Sequence, residues 1–178
     1  MTWCYLLCGS RNTADYRLQT KAVTLGTLDV LGTPHERDRQ RGHDRQQAER
    51  QDHDRGRQQA KAIGNWLRAK GLTSARVYSS QWCRCLETAE LLEMGPVAQL
   101  PALNSFYELT QNREPNLKAL NKFIAEQPSE GELIILVTHL VTISAITDQG
   151  VSSGEGVLIE LKKDAPFEMV GRLDFGES

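Results

Sequence analysis

The pattern of apolar and polar positions changes near residue 55. From there to about residue 172, short apolar runs alternate with amphipathic helical patterns, as in an α/β protein. Before it, Arg, Asp, Glu, Gln and His are closely interspersed, and the segment from His35 to Arg57 contains one aliphatic side chain, Ala48. Such a segment has no apolar face to bury, so we expect it to be solvated or disordered. The chain is therefore predicted to have an atypical, Arg/Gln/His-rich N-terminal region, residues 1–54, and an α/β domain, residues 55–178.

The spacing of apolar residues predicts the elements of this domain. Ala60, Ile63, Gly64 and Leu67 form one helical stripe, and Gly71 follows it as a C-cap. The further elements are a strand at 75–78, a helix at 82–93, a helix carrying Leu117, Leu120 and Ile124, a strand at 132–137, a short helix ending near residue 146, and antiparallel strands at 157–161 and 167–173. Residues 133–137 are all apolar, which is typical of a strand buried on both faces in a central parallel sheet.

The composition and net charge of the chain argue against a membrane or a nucleic acid as its partner. With 39% hydrophobic and 25% charged residues and no long apolar run, the chain is of globular type and predicts no membrane span. The net charge of −2 gives no overall reason to bind nucleic acid or an anionic membrane. The seven arginines from Arg37 to Arg57 are interspersed with acids, and no aromatic residue lies among them for base stacking. We expect a cytoplasmic protein with neither partner, while export to the periplasm and the oligomeric state stay open.

Neither cysteine nor histidine spacing indicates a metal or organic cofactor. Cys4 and Cys8, like Cys83 and Cys85, match neither a zinc knuckle nor a dense disulfide framework, so reduced structural thiols are expected. Three of the four histidines lie in the N-terminal region, at spacings that place no ligand set on one face: His35, His43 and His53. We therefore expect no cofactor.

Two segments bring polar groups to one edge of the predicted sheet. Ser79, Ser80 and Arg84 lie where a strand runs into a helix, and a helix start offers unpaired N–H groups to an anion. His139 follows the buried strand, where an imidazole can donate to a phosphoryl oxygen or exchange a proton. Each residue taken alone also fits a role without function at a site. Arg84 could be a surface or ion-pairing residue, and His139 a hydrogen-bonded structural residue. Together they predict a phosphate pocket.

The segment from Tyr78 to Ala89 resembles the Ser-Ser-x-x-x-Arg-x-x-x-Thr-Ala signature of the histidine phosphatase superfamily, and residues 136–139 resemble its second histidine motif. The resemblance covers about residues 55–173. It implies a phosphoglycerate-mutase-like fold, a three-layer αβα sandwich with a mostly parallel central sheet, whose N-terminal part is here atypical or disordered. It also implies action on a phosphorylated small molecule or phosphoprotein.

The resemblance further implies a two-step reaction. A histidine in an Arg-His-Gly motif at the end of the first strand attacks the phosphoryl group, and water then hydrolyses the phosphohistidine. By position, Arg84 and His139 would hold the phosphoryl oxygens, with Ser79 and Ser80 beside them. Glu108 is the candidate acid for the leaving group, and a solvent-exposed loop carboxylate is the alternative reading of it.

The chain departs from the family's pattern in one respect: it contains no Arg-His-Gly. The nearest analogue to the first strand is residues 5–10, where Cys8 and Gly9 would occupy the positions of the arginine and the nucleophile. A cysteine nucleophile is not supported, because no arginine stands six positions after any cysteine. Two explanations stay open, with a slight preference for the second: a pseudoenzyme that binds phosphate without turnover, or an N-terminal region read in a shifted frame before about Arg55.

Overall fold

The computed structural model describes residues 21–25, 41–128, 131–151, 155–162 and 167–174, with side chains described from residue 54 onward. Two short 3-10 turns, Pro101–Leu103 and Thr110–Asn112, lie between the third strand and the third helix. The elements are β1 (Lys21–Leu25), α1 (Arg41–Ala69), β2 (Arg76–Ser79), α2 (Cys83–Leu91), β3 (Val97–Gln99), α3 (Arg113–Ala125), β4 (Ile134–Val137), α4 (Leu140–Thr147), β5 (Glu155–Glu160) and β6 (Glu168–Asp174).

The sheet is mixed and mostly parallel, as predicted. Its strand order is β3-β2-β4-β1-β5-β6. The first four of these strands pair in parallel, whereas β5 is antiparallel to both β1 and β6. All four residues of β4 are fully buried, so both faces of the sheet are covered at its centre. Helix α1 packs against α2, and α3 packs against α4. The α/β fold class is therefore confirmed, with β4 at the position predicted from its apolar run.

An inner strand comes from the N-terminal region. Strand β1 pairs with β4 and β5 and is not formed by residues 5–8, which lie outside the described residues. The sequence analysis missed β1 because five residues without a long apolar run are held as a strand only by partners distant in the chain.

Helix α1 begins before the predicted domain boundary at residue 55. Its 29 residues include 41–54, for which the sequence predicted a solvated or disordered segment. Arg, Gln and Glu have high helix propensity, so such a segment can extend a helix that is anchored elsewhere. The anchor is the predicted stripe, since Ala60, Ile63 and Leu67 are buried. Among the described residues no helix has the length and apolar character needed to cross a membrane.

The predicted helix end and the contact between α1 and α2 both depend on glycine. Gly71 follows α1 with φ +83°, the left-handed conformation expected of a C-cap glycine. Gly64 faces the end of α2 so closely that a Cβ atom built on it would lie 2.1 Å from the carbonyl oxygen of Leu92. Arg68 donates to that same oxygen at 2.9 Å. The backbone of α1 at Gly64 is thus in close contact with the backbone of Leu92, the residue that follows α2.

Candidate functional site

Two neighbouring parallel strands deliver the candidate site residues to one edge of the sheet. Ser79 of β2 is in register with Val137 of β4, and the Ser80 N–H donates to the Val137 carbonyl at 2.9 Å. The chain then continues from β2 toward α2 and from β4 through Thr138 and His139 into α4. Because carboxyl ends of parallel strands share an edge, Ser80, Arg84 and His139 meet there.

His139 lies at the centre of this group and is only 2% exposed. Its Nε2 is 2.9 Å from the Ser80 hydroxyl oxygen, and its Nδ1 is 3.4 Å from Nη2 of Arg84. A guanidinium can only donate, so a hydrogen bond from Arg84 requires a lone pair on Nδ1. The ring proton then lies on Nε2 and is donated to Ser80. The imidazole therefore presents its Nδ1 edge to the arginine.

Trp82 contacts both of these side chains. The Arg84 guanidinium carbon lies 4.6 Å from the centre of the Trp82 ring, a cation–π arrangement. The His139 ring lies 5.2 Å away, edge to face, with an angle of 71° between the planes. The backbone N–H of Trp82 donates to the Ser80 hydroxyl oxygen at 3.2 Å. These contacts join Ser80, Trp82, Arg84 and His139 into one group, which we call the His139 cluster.

Helix starts add positive potential at the same place. Helix α2 begins at Cys83, one residue before Arg84, and α4 begins at Leu140, with His139 at its N-cap. The N–H groups of a helix's first turn carry partial positive charge and suit an anion. Together with the Arg84 guanidinium, they make this edge of the sheet suitable for a phosphoryl group.

The other predicted site residues are placed differently. Ser79 is fully buried, and its hydroxyl donates to the Ser80 carbonyl at 2.9 Å. The Ser80 hydroxyl supports the imidazole, so a contact of either serine with phosphate stays a prediction. Glu108 is exposed in the loop before Thr110 and makes no hydrogen bond or ion pair with another described residue. The structure therefore does not join Glu108 to the His139 cluster, and its role as an acid also stays a prediction.

Sequence reasoning assigned no site role to Trp82 or Cys85. The Cys85 sulfur lies 3.7 Å from Nε2 of His139 and is fully buried. Both residues lie within the signature that pointed to Arg84, but a signature marks its constant positions, and side chains at the variable ones were not weighed. Their proximity to His139 depends on the pairing of β2 with β4, which the sequence alone does not show.

The loop after β3 is tied to the beginning of α2. The Gln81 N–H donates to Oδ1 of Asn104 at 2.8 Å, and Nδ2 of Asn104 donates to Oε1 of Gln81 at 2.9 Å. The Thr138 hydroxyl donates to the Leu103 carbonyl at 2.6 Å. These bonds hold residues 103–104 beside the His139 cluster. Within the described part of the chain, no three or more His, Cys, Asp or Glu side chains are grouped to hold a metal ion. The side chains of His35, His43 and His53 lie outside that part.

The tautomer of His139 gives a test of the cluster. In Ser80→Ala the imidazole loses its hydroxyl partner at Nε2 and keeps the longer contact with the Cys85 sulfur, and the loss of one buried hydrogen bond costs about 0.5–1.5 kcal/mol. We expect lower stability and a shift of the imidazole away from the Nε2–H tautomer, measured by long-range proton–nitrogen NMR of the histidine ring. Ser79→Ala is the matched control, because it removes a neighbouring buried hydroxyl that bonds to the backbone instead. Identical histidine spectra for Ser80→Ala and the wild type would contradict this arrangement.

One family model matches part of this chain, and several solved structures have a similar fold. Residues 42–113 match the model of the histidine phosphatase superfamily, branch 1, whereas a search of curated proteins by sequence finds no match. The fold is similar to that of the protein histidine phosphatase SixA complexed with tungstate, with a TM-score of 0.51 and 13% identity over 68% of this chain and 81% of that one.

Two further solved structures are similar at lower scores. One is a phosphoserine phosphatase mutant from Entamoeba histolytica in complex with phosphoserine, with a TM-score of 0.48 and 14% identity over 67% of this chain and 82% of that one. The other is a phosphoglycerate mutase from Plasmodium falciparum, with a TM-score of 0.47 and 13% identity over 66% of this chain and 82% of that one.

Proposed function

Because residues 42–113 match the model of the histidine phosphatase superfamily, we propose that the His139 cluster binds the phosphoryl group of a phosphomonoester or of phosphohistidine, and that hydrolysis there is impaired. The observation that carries the proposal is the pair formed by Arg84 and His139, with Nη2 and Nδ1 3.4 Å apart at the starts of two helices. A guanidinium presents several N–H donors to phosphoryl oxygens, and the imidazole donates to one of them when the phosphoryl group replaces Arg84 at Nδ1 and a proton lies on that nitrogen.

The same edge of the sheet explains why turnover should be slow. Strand β1 ends at Leu25, in register with Val137, so it ends at the level where β4 leads to His139. The residues that follow in the sequence are Gly26 and Thr27, neither of which supplies a guanidinium or an imidazole. A reaction through phosphohistidine needs a nucleophilic imidazole nitrogen to attack phosphorus, and the oxygen of the broken ester bond needs a proton. The described residues therefore support binding of the phosphoryl group better than they support its transfer to a histidine.

A non-catalytic phosphate-binding domain is the second candidate, and the sequence Gly26-Thr27 after β1 favours it. The two candidates differ in one measurable quantity, the rate of phosphate release. A shifted reading frame in the N-terminal region would account for the same sequence. It predicts that an alternative upstream frame encodes a strand ending in Arg-His-Gly, which the nucleotide sequence decides.

Phosphate binding is tested by thermal unfolding of the full chain with phosphate and with vanadate. At a ligand concentration about 100-fold above Kd, we expect stabilisation of about 2.7 kcal/mol, seen as a higher Tm. His139→Gln keeps a polar side chain of similar size but not the imidazole, and about tenfold weaker binding is expected, equal to about 1.4 kcal/mol. Sodium chloride at matched ionic strength controls for general salt effects.

Turnover is measured in parallel with para-nitrophenyl phosphate. We expect slow release of phosphate that is reduced further in His139→Gln. Rapid turnover that is unchanged in this variant would contradict the proposed site. Phosphate-dependent stabilisation with no turnover would support the non-catalytic candidate, and the absence of both would refute phosphate binding.

A further inference from the structure

Trp82 is placed where local structure alone does not require a tryptophan. It is the N-cap residue of α2, and its side chain makes no capping hydrogen bond. N-cap positions favour Ser, Thr, Asp or Asn, whose oxygen accepts a bond from the first turn, and an indole has no such acceptor. Trp82 is also 37% exposed as a residue, so burial in the core does not explain it. The contacts that do distinguish Trp82 are those with Arg84 and His139.

We infer that Trp82 positions Arg84 and His139 and also receives the organic group of the phosphorylated ligand, which is a planar unsaturated ring. The inference rests on the proposed phosphate site and specifies which class of ligand that site takes. Two observations carry it: the ring contacts both phosphate-binding side chains, and the residue is partly exposed.

The positioning role follows from the cation–π contact of Arg84 with the indole. An arginine side chain has several rotatable bonds, and holding its planar guanidinium in one place costs conformational entropy. The cation–π contact at 4.6 Å restricts where the guanidinium lies before a ligand arrives. The edge-to-face contact with His139 orients the imidazole in the same way. A ligand that meets both groups already in place loses less free energy in ordering them.

The specificity role follows from where the organic group must lie. A phosphoryl group held by Arg84 and His139 has its ester oxygen directed away from those donors, and the indole borders both of them. The exposed part of Trp82 is therefore an apolar aromatic surface beside the organic group of the ligand. A planar unsaturated ring gains a stacking or edge-to-face contact with an indole, whereas a puckered saturated ring of similar size gains only apolar contact.

Phenyl phosphate and cyclohexyl phosphate form a matched pair of probes for this inference. Binding of each, and of inorganic phosphate, is measured by isothermal titration calorimetry on the full chain. We expect the wild type to bind phenyl phosphate roughly 3- to 10-fold more tightly than cyclohexyl phosphate, the range that an added aromatic contact provides. Trp82→Leu should abolish the preference, and Trp82→Phe should restore part of it. Trp82→Leu should also weaken binding of inorganic phosphate, because Arg84 loses its cation–π partner.

Trp66→Phe is the matched control, because Trp66 is a half-buried tryptophan on α1 whose ring faces Lys70 at 5.5 Å. This variant should keep the full preference for phenyl phosphate. Intrinsic fluorescence gives a second readout: ligand binding should change the emission of the wild type and of Trp66→Phe, and this change should be lost in Trp82→Phe. Circular dichroism verifies that each variant is folded.

The possible outcomes separate this inference from the proposed function. Equal affinity of the wild type for the two esters, or a preference that persists in Trp82→Leu, overturns the role of Trp82 and leaves phosphate binding intact. Binding of neither inorganic phosphate nor its esters by the wild type overturns both. A preference lost in Trp82→Leu, partly restored in Trp82→Phe and kept in Trp66→Phe supports the inference.

Discussion

Arg84→Ala should weaken phosphate binding about 100-fold, equal to about 2.7 kcal/mol, and leave the chain folded. The guanidinium is the cation of the His139 cluster, and hydrogen bonds to charged groups are worth about 1.5–3 kcal/mol each. Arg84→Lys should show an intermediate loss, because an ammonium keeps the charge but not the planar fork that matches two phosphoryl oxygens. Titration calorimetry with inorganic phosphate at low ionic strength measures both variants.

Arg57→Ala is the charge-matched control for Arg84. Arg57 lies on α1 and pairs with Glu87 of α2 at 2.6 Å, at the surface of the same pair of helices. Its removal also takes one positive charge from this region but leaves the contact between Arg84 and His139 in place. We expect a change of less than about threefold, since exposed ion pairs and distant charges act weakly. Equal losses in Arg84→Ala and Arg57→Ala would show that the effect is one of net charge, and would refute a specific role for Arg84.

Gly64→Ala should destabilise the chain, even though alanine favours a helix. The added Cβ would lie 2.1 Å from the Leu92 carbonyl oxygen and 2.9 Å from the Leu92 carbonyl carbon. Both are backbone atoms, so α1 has to move away from α2, and the bond from Arg68 to the same oxygen is strained as well. Overpacking costs about 1–3 kcal/mol, and because both contacts are with backbone atoms we expect the upper part of this range, which outweighs the roughly 1 kcal/mol gained in helix propensity.

Gly150→Ala is the control for Gly64, because a Cβ built at Gly150 has nothing within 4 Å and the backbone there needs no positive φ. We expect a Tm lowered by roughly 3–8 °C in Gly64→Ala and a change near zero in Gly150→Ala, measured by thermal unfolding of both variants. If Gly64→Ala raised the Tm, the close approach of α1 to α2 would be wrong.

The sequence by itself determined the elements whose patterns are local. The stripe of Ala60, Ile63 and Leu67 predicted the buried face of α1, since side chains at these spacings share one face of any helix. The apolar run at 133–137 predicted a central strand, because only a strand covered on both faces tolerates apolar residues at every position. Arg84 and His139 were identified from the same kind of information, a short signature next to each strand.

The tertiary structure decided what depends on partners distant in the chain. Strand β1 has no signal of its own and lies inside the sheet because β4 and β5 pair with it. The polar residues 41–54 are helical as an extension of a helix anchored further along. Which atoms meet at His139 was decided by the register of β2 against β4, which joins Ser80, Trp82 and Cys85 to the imidazole and leaves Glu108 exposed. Local periodicity carries no information about such pairings, because they are fixed by packing and hydrogen bonds between strands far apart in sequence.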